Sequence, residues 1–209
     1  MLNVLRPALS RVIDPTGRVL ARAGVTPNAI TVVGTVGTAV TALALYPSGH
    51  LFGGTVVITG FVLLDLLDGA VARASGGTSK FGAFLDSTMD RVADAAIFSG
   101  LILWLVGARE DIGLAAVALF CLVSGAVVSY AKARAEGLGL TCDVGIAERG
   151  ERLIIGLTAI GLSGLGVPYV LAAGLWLLAA MSAITVAQRI ATVYRQTRPE
   201  RDGRASGGM

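Results

Sequence analysis

Four aspartates, Asp65, Asp68, Asp86 and Asp90, lie within two segments that are otherwise apolar enough to cross a bilayer. A carboxylate at the centre of a membrane helix costs roughly 2.5–3.5 kcal/mol on insertion scales, so such residues face a bundle interior or water. The first pair is spaced by three residues and the second by four, so each pair occupies one stripe of its helix. The polar, glycine-rich link at residues 74–81 predicts a turn between antiparallel helices. We therefore expect the two acidic stripes to face each other.

The composition places the chain among integral membrane proteins. Hydrophobic residues make up 54% of the 209 residues, charged residues make up 15%, and the mean hydropathy is +0.74. These values are typical of a membrane protein and exclude a soluble domain with a large core, and we expect no nucleic-acid partner. The apolar runs predict an all-α bundle of six transmembrane helices within residues 25–195, at about 27–46, 51–74, 82–107, 112–135, 150–165 and 168–195.

The two ends of the chain differ from this bundle. Residues 1–24 alternate small apolar side chains with arginines, a pattern that predicts an interfacial amphipathic helix on the lipid headgroups. Residues 196–209 are rich in Pro, Gly, Ser and charged residues, so we expect a disordered tail.

The distribution of basic residues predicts the topology. Six spans place both termini on one side of the membrane, and Arg109 is then the only Lys or Arg on the other side. By the positive-inside rule, both termini and the turn at 74–81 are cytoplasmic. At a rise of ~1.5 Å per residue, the four aspartates lie in the cytoplasmic third of the membrane. We expect a multi-pass protein of the cell membrane with a site open to the cytoplasm.

The acidic cluster carries more negative charge than its neighbours can neutralise. Arg73 and Arg91 are too few to balance the four aspartates and Asp94, so the cluster requires metal cations. Carboxylate oxygens at this density suit Mg²⁺ or Mn²⁺, and a pair of ions can bridge a diphosphate. A divalent-metal transporter would also use carboxylates inside the membrane. It predicts repeats and a site near the midplane, whereas this chain has no repeat and its acids crowd one interface.

Read as one string, the acidic residues and their neighbours form the pattern Asp65-x2-Asp68-Gly69-x2-Ala72-Arg73-x8-Gly82-x3-Asp86-x3-Asp90. The pattern resembles the signature of the CDP-alcohol phosphotransferase family, and every fixed position is filled. The resemblance implies a metal-dependent membrane enzyme, and a homodimer, that transfers the phosphatidyl group of CDP-diacylglycerol to an alcohol and releases CMP.

The resemblance also implies roles for individual residues. Asp65, Asp68 and Asp86 would hold the metals, and Asp90 would complete the second metal site and act as the base. Geometry alone does not single out one base among the four aspartates. The residues implied at CDP-diacylglycerol are Asn28, Thr31, Gly69, Arg73, Ser79 and Gly82. Helix capping and turn chemistry explain the two hydroxyl residues and the asparagine equally well.

A basic cluster on the same side suggests an acceptor that carries its own phosphate. Arg189 lies within an apolar segment, so it should face a partner or a phosphate, and Lys132 and Arg152 could join it there. Within the family, this cluster resembles the actinobacterial members whose acceptor is an inositol phosphate of the 1D-myo-inositol 3-phosphate type. Glycerol 3-phosphate is the alternative acceptor. Membership of the site stays open for three further basic residues, Arg134, Arg149 and Arg195.

Overall fold

The computed structural model describes residues 15–74, 77 and 79–198, without the side chains of Asp65 and Leu66. Every regular element within these residues is an α-helix. The interfacial helix predicted for 1–24 is described only from residue 15, and residues 15–22 are helical (α1). The predicted tail lies outside the described residues from 199 onward.

Six longer helices follow α1: α2 (Pro27–Leu45), α3 (Leu51–Ala74), α4 (Lys80–Gly107), α5 (Ile112–Glu136), α6 (Arg149–Gly164) and α7 (Val170–Thr197). Their bounds agree with the apolar runs to within a few residues. The last helix continues two residues beyond the predicted end at 195. The cause is Gln196, whose Nε2 donates to the Thr141 carbonyl at 2.6 Å and whose Oε1 accepts from the Thr141 amide at 3.1 Å. Residues 196–197 therefore belong to the bundle and not to a disordered tail.

Three helices begin where a side chain caps their first turn. Thr26 Oγ1 accepts from the Ala29 amide at 3.3 Å before α2, and Ser79 Oγ accepts from the Gly82 amide at 2.9 Å before α4. Asp111 caps α5 in the same way. Because these residues satisfy amides that have no partner inside the helix, the short links fix where each helix starts.

Four helices, α2, α3, α5 and α7, are long and apolar enough to cross a membrane. Helix α4 has 28 residues, but charged side chains interrupt its first half. Helix α6 has 16 residues, or about 24 Å at ~1.5 Å per residue, which is short for a span. The membrane character predicted from the composition is therefore carried by four described helices, with α4 and α6 packed among them.

The helices pack in two groups, α2–α4 and α5–α7, which meet where α4 packs on α5 and α3 packs on α6. Helix α2 packs on α3 and α4, α5 packs on α4 and α7, and α6 packs on α3 and α7. The contact between α2 and α4 is a backbone contact, because a Cβ atom on Gly100 would overlap the Ala42 carbonyl group. Fully buried apolar residues such as Leu101 and Leu105 continue this contact toward the end of α4.

The links between helices lie at two opposite ends of the bundle. One end holds the α3–α4 turn, the start of α2 and the link at residues 137–148 between α5 and α6. The other end holds the links at residues 46–50, 108–111 and 165–169. All sequence-predicted site residues that the structure describes lie toward the first end.

Candidate functional site

Helices α2, α3 and α4 enclose the acidic part of the site. The Thr31 hydroxyl on α2 donates to Asp68 Oδ2 on α3 at 2.8 Å, and it also lies 3.1 Å from the Pro27 carbonyl oxygen. Asp68 is close enough to Asp86 on α4 for the two carboxylates to repel each other. Both residues are half-buried. Asp68 on α3 and Asp86 on α4 therefore lie close together, and α2 forms the third wall.

Three of the residues proposed at the nucleotide converge where α2 meets α4. A Cβ atom on Gly82 would lie 3.1 Å from Ser79 Oγ and 3.2 Å from Asn28 Oδ1. The glycine therefore leaves room between two polar side chains. A ligand could reach the backbone here only because the Cβ is absent. On α3, the Arg73 guanidinium folds back over Gly69, whose Cβ would lie 3.5 Å from Arg73 Nη1.

Asp90 is in contact with guanidinium groups from two helices. Arg149 Nη1, at the first residue of α6, lies 2.6 Å from Asp90 Oδ1, and Arg91 Nη2 lies 3.7 Å from Asp90 Oδ2. The Asp90 side chain is 17% exposed, so this ion pair is well shielded from bulk water. The sequence left the membership of Arg149 open. The signal that could have included it is its position at the start of α6, at the end of the bundle where the aspartates lie.

Asp94, one turn further along α4, contacts three arginines. Its carboxylate lies 3.7 Å from Arg91 Nη2, 3.5 Å from Arg149 Nε and 3.7 Å from Arg152 Nη2. The side chain is 15% exposed. Because Asp94 lies outside the family pattern, the sequence predicts a structural residue here. The spacing did not reveal that one carboxylate would be shared among three cations.

The basic residues proposed at the acceptor surround the link at residues 137–148. Arg152 is 8% exposed, and its Nη1 donates to the Ala147 carbonyl at 3.0 Å. Arg189 is 3% exposed, and its Nε donates to the Val144 carbonyl at 3.0 Å. The Nη1 atom of Arg189 donates to the Val128 carbonyl. Both arginines thus hold backbone segments together in addition to any role toward a ligand.

Lys132 lies at the surface beside the same link. Its Nζ lies 2.6 Å from Asp143 Oδ1 and 3.9 Å from Glu136 Oε1. The hydrogen bond from Lys132 holds the pKa of Asp143 below its usual range. Lys132 therefore already has an anionic partner, which a ligand phosphate would have to displace.

The described residues contain two facing carboxylates suited to a hard divalent cation. Asp68 and Asp86 provide oxygen ligands from opposite helices, as Mg²⁺ or Mn²⁺ prefers. The predicted ligand set also includes Asp65, whose side chain is not described. Among the described side chains, no group of three or more His, Cys, Asp or Glu residues is arranged to hold a metal. The donor chemistry therefore fits a divalent cation, with the full ligand set left as a prediction.

The sequence and the structure of this chain both resemble those of proteins from one known family. The family model described as CDP-alcohol phosphatidyltransferase matches residues 24–187. A phosphatidylinositol phosphate synthase of Streptomyces avermitilis is 49% identical over 205 residues, which cover 94% of this chain and 84% of the relative.

Two solved structures of Mycobacterium tuberculosis phosphatidylinositol phosphate synthase are also similar. The crystal structure with CDP-DAG bound has a TM-score of 0.86 and 46% identity, and the match covers 95% of this chain and 98% of that chain. The crystal structure in complex with manganese and citrate has a TM-score of 0.85 and 46% identity, with coverage of 94% and 93%.

Proposed function

This chain belongs to the CDP-alcohol phosphatidyltransferase family, and from that premise we propose that it transfers the phosphatidyl group of CDP-diacylglycerol to an inositol phosphate, yielding phosphatidylinositol phosphate and CMP. The resemblance found in the aspartate pattern is thereby confirmed. The curated relatives are named for this product, which favours an inositol phosphate over glycerol 3-phosphate as acceptor. The family match also removes the reason for considering a metal transporter.

One structural observation carries the proposal. The facing carboxylates of Asp68 and Asp86 and the arginine cluster around Asp94 lie at the same end of the bundle. A metal-assisted diphosphate site and a cationic site for a second phosphate are therefore neighbours, as transfer between two phosphate-bearing substrates requires.

Asp65, Asp68 and Asp86, with Asp90, would hold two Mg²⁺ or Mn²⁺ ions, and the manganese complex of the relative supports this class of metal. Bound there, divalent cations neutralise the negative charge that grows on the diphosphate oxygens during transfer. Thr31 orients the Asp68 carboxylate through its hydroxyl hydrogen.

The nucleotide half of the site is assigned to α2, α3 and the start of α4. Gly82 leaves the space into which the cytidine moiety can approach the backbone between Asn28 and Ser79. Gly69 and Arg73 lie on the same helix as Asp68, and Arg73 would bind a phosphate of the CDP group through its planar fork of donors. The crystal structure of the relative with CDP-DAG supports this class of ligand.

Asp90 is assigned as the base that takes the proton from the acceptor hydroxyl. The hydroxyl oxygen then forms the new bond to the phosphatidyl phosphorus, and the bond from that phosphorus to the bridging diphosphate oxygen breaks to release CMP. Asp90 lies one turn from Asp86 and contacts Arg149 at 2.6 Å, so it borders both the metal ligands and the arginine cluster. Lys132, Arg152 and Arg189 are assigned to the acceptor phosphate.

We also infer the arrangement in the membrane. Helices α4 and α6 complete a six-helix transmembrane domain that extends to Thr197, and the surface location of residues 1–24 and a cytoplasmic tail after α7 stay predictions. The links at the end opposite the site contain a single Lys or Arg, Arg109, which supports a cytoplasmic site and cytoplasmic termini. A homodimer is part of the proposal on family grounds.

The test is an assay of CMP release by the purified protein. CDP-diacylglycerol and Mn²⁺ are supplied with inositol 3-phosphate, free inositol or glycerol 3-phosphate in separate reactions. We expect rapid release only with inositol 3-phosphate, and a lipid product that carries the inositol phosphate. Faster turnover of glycerol 3-phosphate would reassign the acceptor, and no release with any alcohol would overturn the transferase.

A further inference from the structure

We propose that Asp94 is a positioning residue, which sets the acceptor affinity by holding Arg91, Arg149 and Arg152 in one arrangement. The proposal rests on the proposed transfer to an acceptor that carries a phosphate. It goes beyond the family pattern, which ends at Asp90.

The contacts of Asp94 connect two helices, α4 and α6, that together bring three arginines to this place. Arg91 comes from α4, whereas Arg149 and Arg152 come from the first turn of α6. Asp94 Oδ1 faces Arg149 Nε at 3.5 Å, and Oδ2 faces Arg152 Nη2 at 3.7 Å. Three guanidinium groups repel one another, so a shared, largely buried carboxylate fixes the distances between them.

A second contact restricts Arg152 from the opposite side. A Cβ atom on Gly125 of α5 would lie 3.3 Å from Arg152 Nε and 3.6 Å from its Cζ. The guanidinium thus lies in a narrow space between α5 and the Asp94 carboxylate. The Arg152 Nη1 atom donates a hydrogen bond to the Ala147 carbonyl, and this bond fixes the orientation of the planar guanidinium group.

The same residues border a cavity of about 100 Å³ between α4, α5 and α6. Arg91, Asp94 and Arg152 form its polar wall. Arg91 Nε and Arg152 Nη2 are buried, and neither donates a hydrogen bond to any described atom. Leaving a buried donor without an acceptor is costly, so the ionic contacts with Asp94 compensate these groups while their hydrogens stay available for an incoming oxygen.

Asp94 also determines which carboxylate the arginines contact. Arg149 reaches Asp90 with Nη1 and Asp94 with Nε, and Arg91 is likewise shared between the two acids. Without the Asp94 charge, Arg91 and Arg149 would keep only Asp90 as a partner, and Arg152, which is assigned to the acceptor phosphate, would lose the carboxylate that faces its Nη2. Loss of Asp94 should therefore weaken acceptor binding more than nucleotide binding.

Asp94→Asn tests this, because it keeps the size of the side chain and removes its charge. We expect the KM for inositol 3-phosphate to rise about tenfold and the KM for CDP-diacylglycerol to stay nearly unchanged. The melting temperature should fall, because three guanidinium groups lose the carboxylate that they share. Asp94→Glu should restore part of the affinity. Glu110→Gln, an exposed carboxylate at the opposite end, is the matched control and should behave as wild type.

A double-mutant cycle separates positioning from general damage. Arg152→Gln alone should also raise the acceptor KM. In the double variant, the total rise in the acceptor KM should be much smaller than the product of the two single effects. A fully multiplicative effect, an equal rise in both KM values or an unchanged acceptor KM would each overturn the positioning role.

The acceptor preference of the wild-type protein tests the proposed function independently of the Asp94 variants. If wild type prefers glycerol 3-phosphate, the inositol assignment fails, and Asp94 is judged by the KM of that acceptor. If wild type uses only alcohols that lack a phosphate, the role of Asp94 is overturned together with the acceptor assignment.

Discussion

The Thr31 hydroxyl on α2 lies 2.8 Å from Asp68 Oδ2 on α3, which ties the first long helix to the acidic stripe. The two residues are 37 positions apart, and their pairing depends on how α2 packs against α3. A donor behind a ligating carboxylate orients its oxygens toward the metal. This contact predicts a role for Thr31 on the metal side of the site, whereas the family resemblance implies a contact with the nucleotide.

Thr31→Val should weaken metal activation. It keeps the shape of the side chain and removes the donor, and loss of such a partner usually costs 10- to 100-fold in metal affinity. We expect the Mn²⁺ concentration for half-maximal CMP release to rise about tenfold, and Thr31→Ser to stay near wild type. A normal Mn²⁺ requirement combined with weaker CDP-diacylglycerol binding would place Thr31 at the nucleotide instead.

Removal of the metal ligands should abolish activity without unfolding the protein. Asp65→Asn, Asp68→Asn and Asp86→Asn each remove a charged oxygen ligand, and excess EDTA should have the same effect on wild type. CMP release and the elution profile on size exclusion are the two measurements. Activity in excess EDTA would contradict the metal assignment.

Asp90→Asn should separate chemistry from nucleotide binding. Loss of a general base alone usually costs 10²–10⁴ in rate, and Asp90 is also proposed as a metal ligand, so the loss should be larger. The Kd of CDP-diacylglycerol should change little, because the nucleotide half lies around Gly82 and Arg73. A loss of nucleotide binding in proportion to the rate would make Asp90 mainly a ligand and would move the base elsewhere.

The helices and the acidic stripes were predictable, because they depend on local spacing. Apolar runs predicted the helix bounds to within a few residues, and the intervals between the aspartates predicted the proximity of Asp68 on α3 to Asp86 on α4. Helix α7 extends two residues past the predicted end at 195, because the hydrogen bonds of Gln196 reach a residue 55 positions away. Such a contact leaves no periodic trace in the sequence.

The arginine network was harder to predict, because its contacts also join residues that are far apart in the sequence. Arg149 lies 55 residues from Asp94 and joins it only because α6 starts beside α4. Arg189 was correctly expected to face a partner, but two of its partners are the backbone carbonyls of Val128 and Val144. The charge of Arg189 and the hydropathy of its surroundings indicate that it has a hydrogen-bonding or ionic partner. Only the packing of the helices determines which group that partner is.

Gly100→Ala should disrupt the contact between α2 and α4. The added methyl would overlap the Ala42 carbonyl, and a backbone group cannot move aside as a side chain can. Overpacking of this kind typically costs 1–3 kcal/mol, so we expect a lower melting temperature in detergent. Gly60→Ala is the control, because its Cβ would meet nothing within 4 Å. Equal melting temperatures for the two variants would contradict the close contact.

Asp143→Asn should improve acceptor binding by removing the anion that competes for Lys132. The two side chains are 2.6 Å apart at the surface. Since the pair is exposed, we expect the KM for inositol 3-phosphate to fall only about two- to fivefold. Glu136→Gln, whose carboxylate lies 3.9 Å from Lys132, should have a smaller effect. A higher KM in Asp143→Asn would instead mean that Asp143 orients Lys132 for the acceptor.

The pH dependence of this competition follows from the direction of the shift. Lys132 lowers the pKa of Asp143 in the folded protein, so the ion pair is fully formed above the unfolded value of about 3.9. It is lost only as the pH falls through the lower folded pKa. The ratio of wild-type to Asp143→Asn KM should therefore stay constant between about pH 5.5 and 8 in matched buffers. A ratio that changes within this range would show that another titrating group controls access to Lys132.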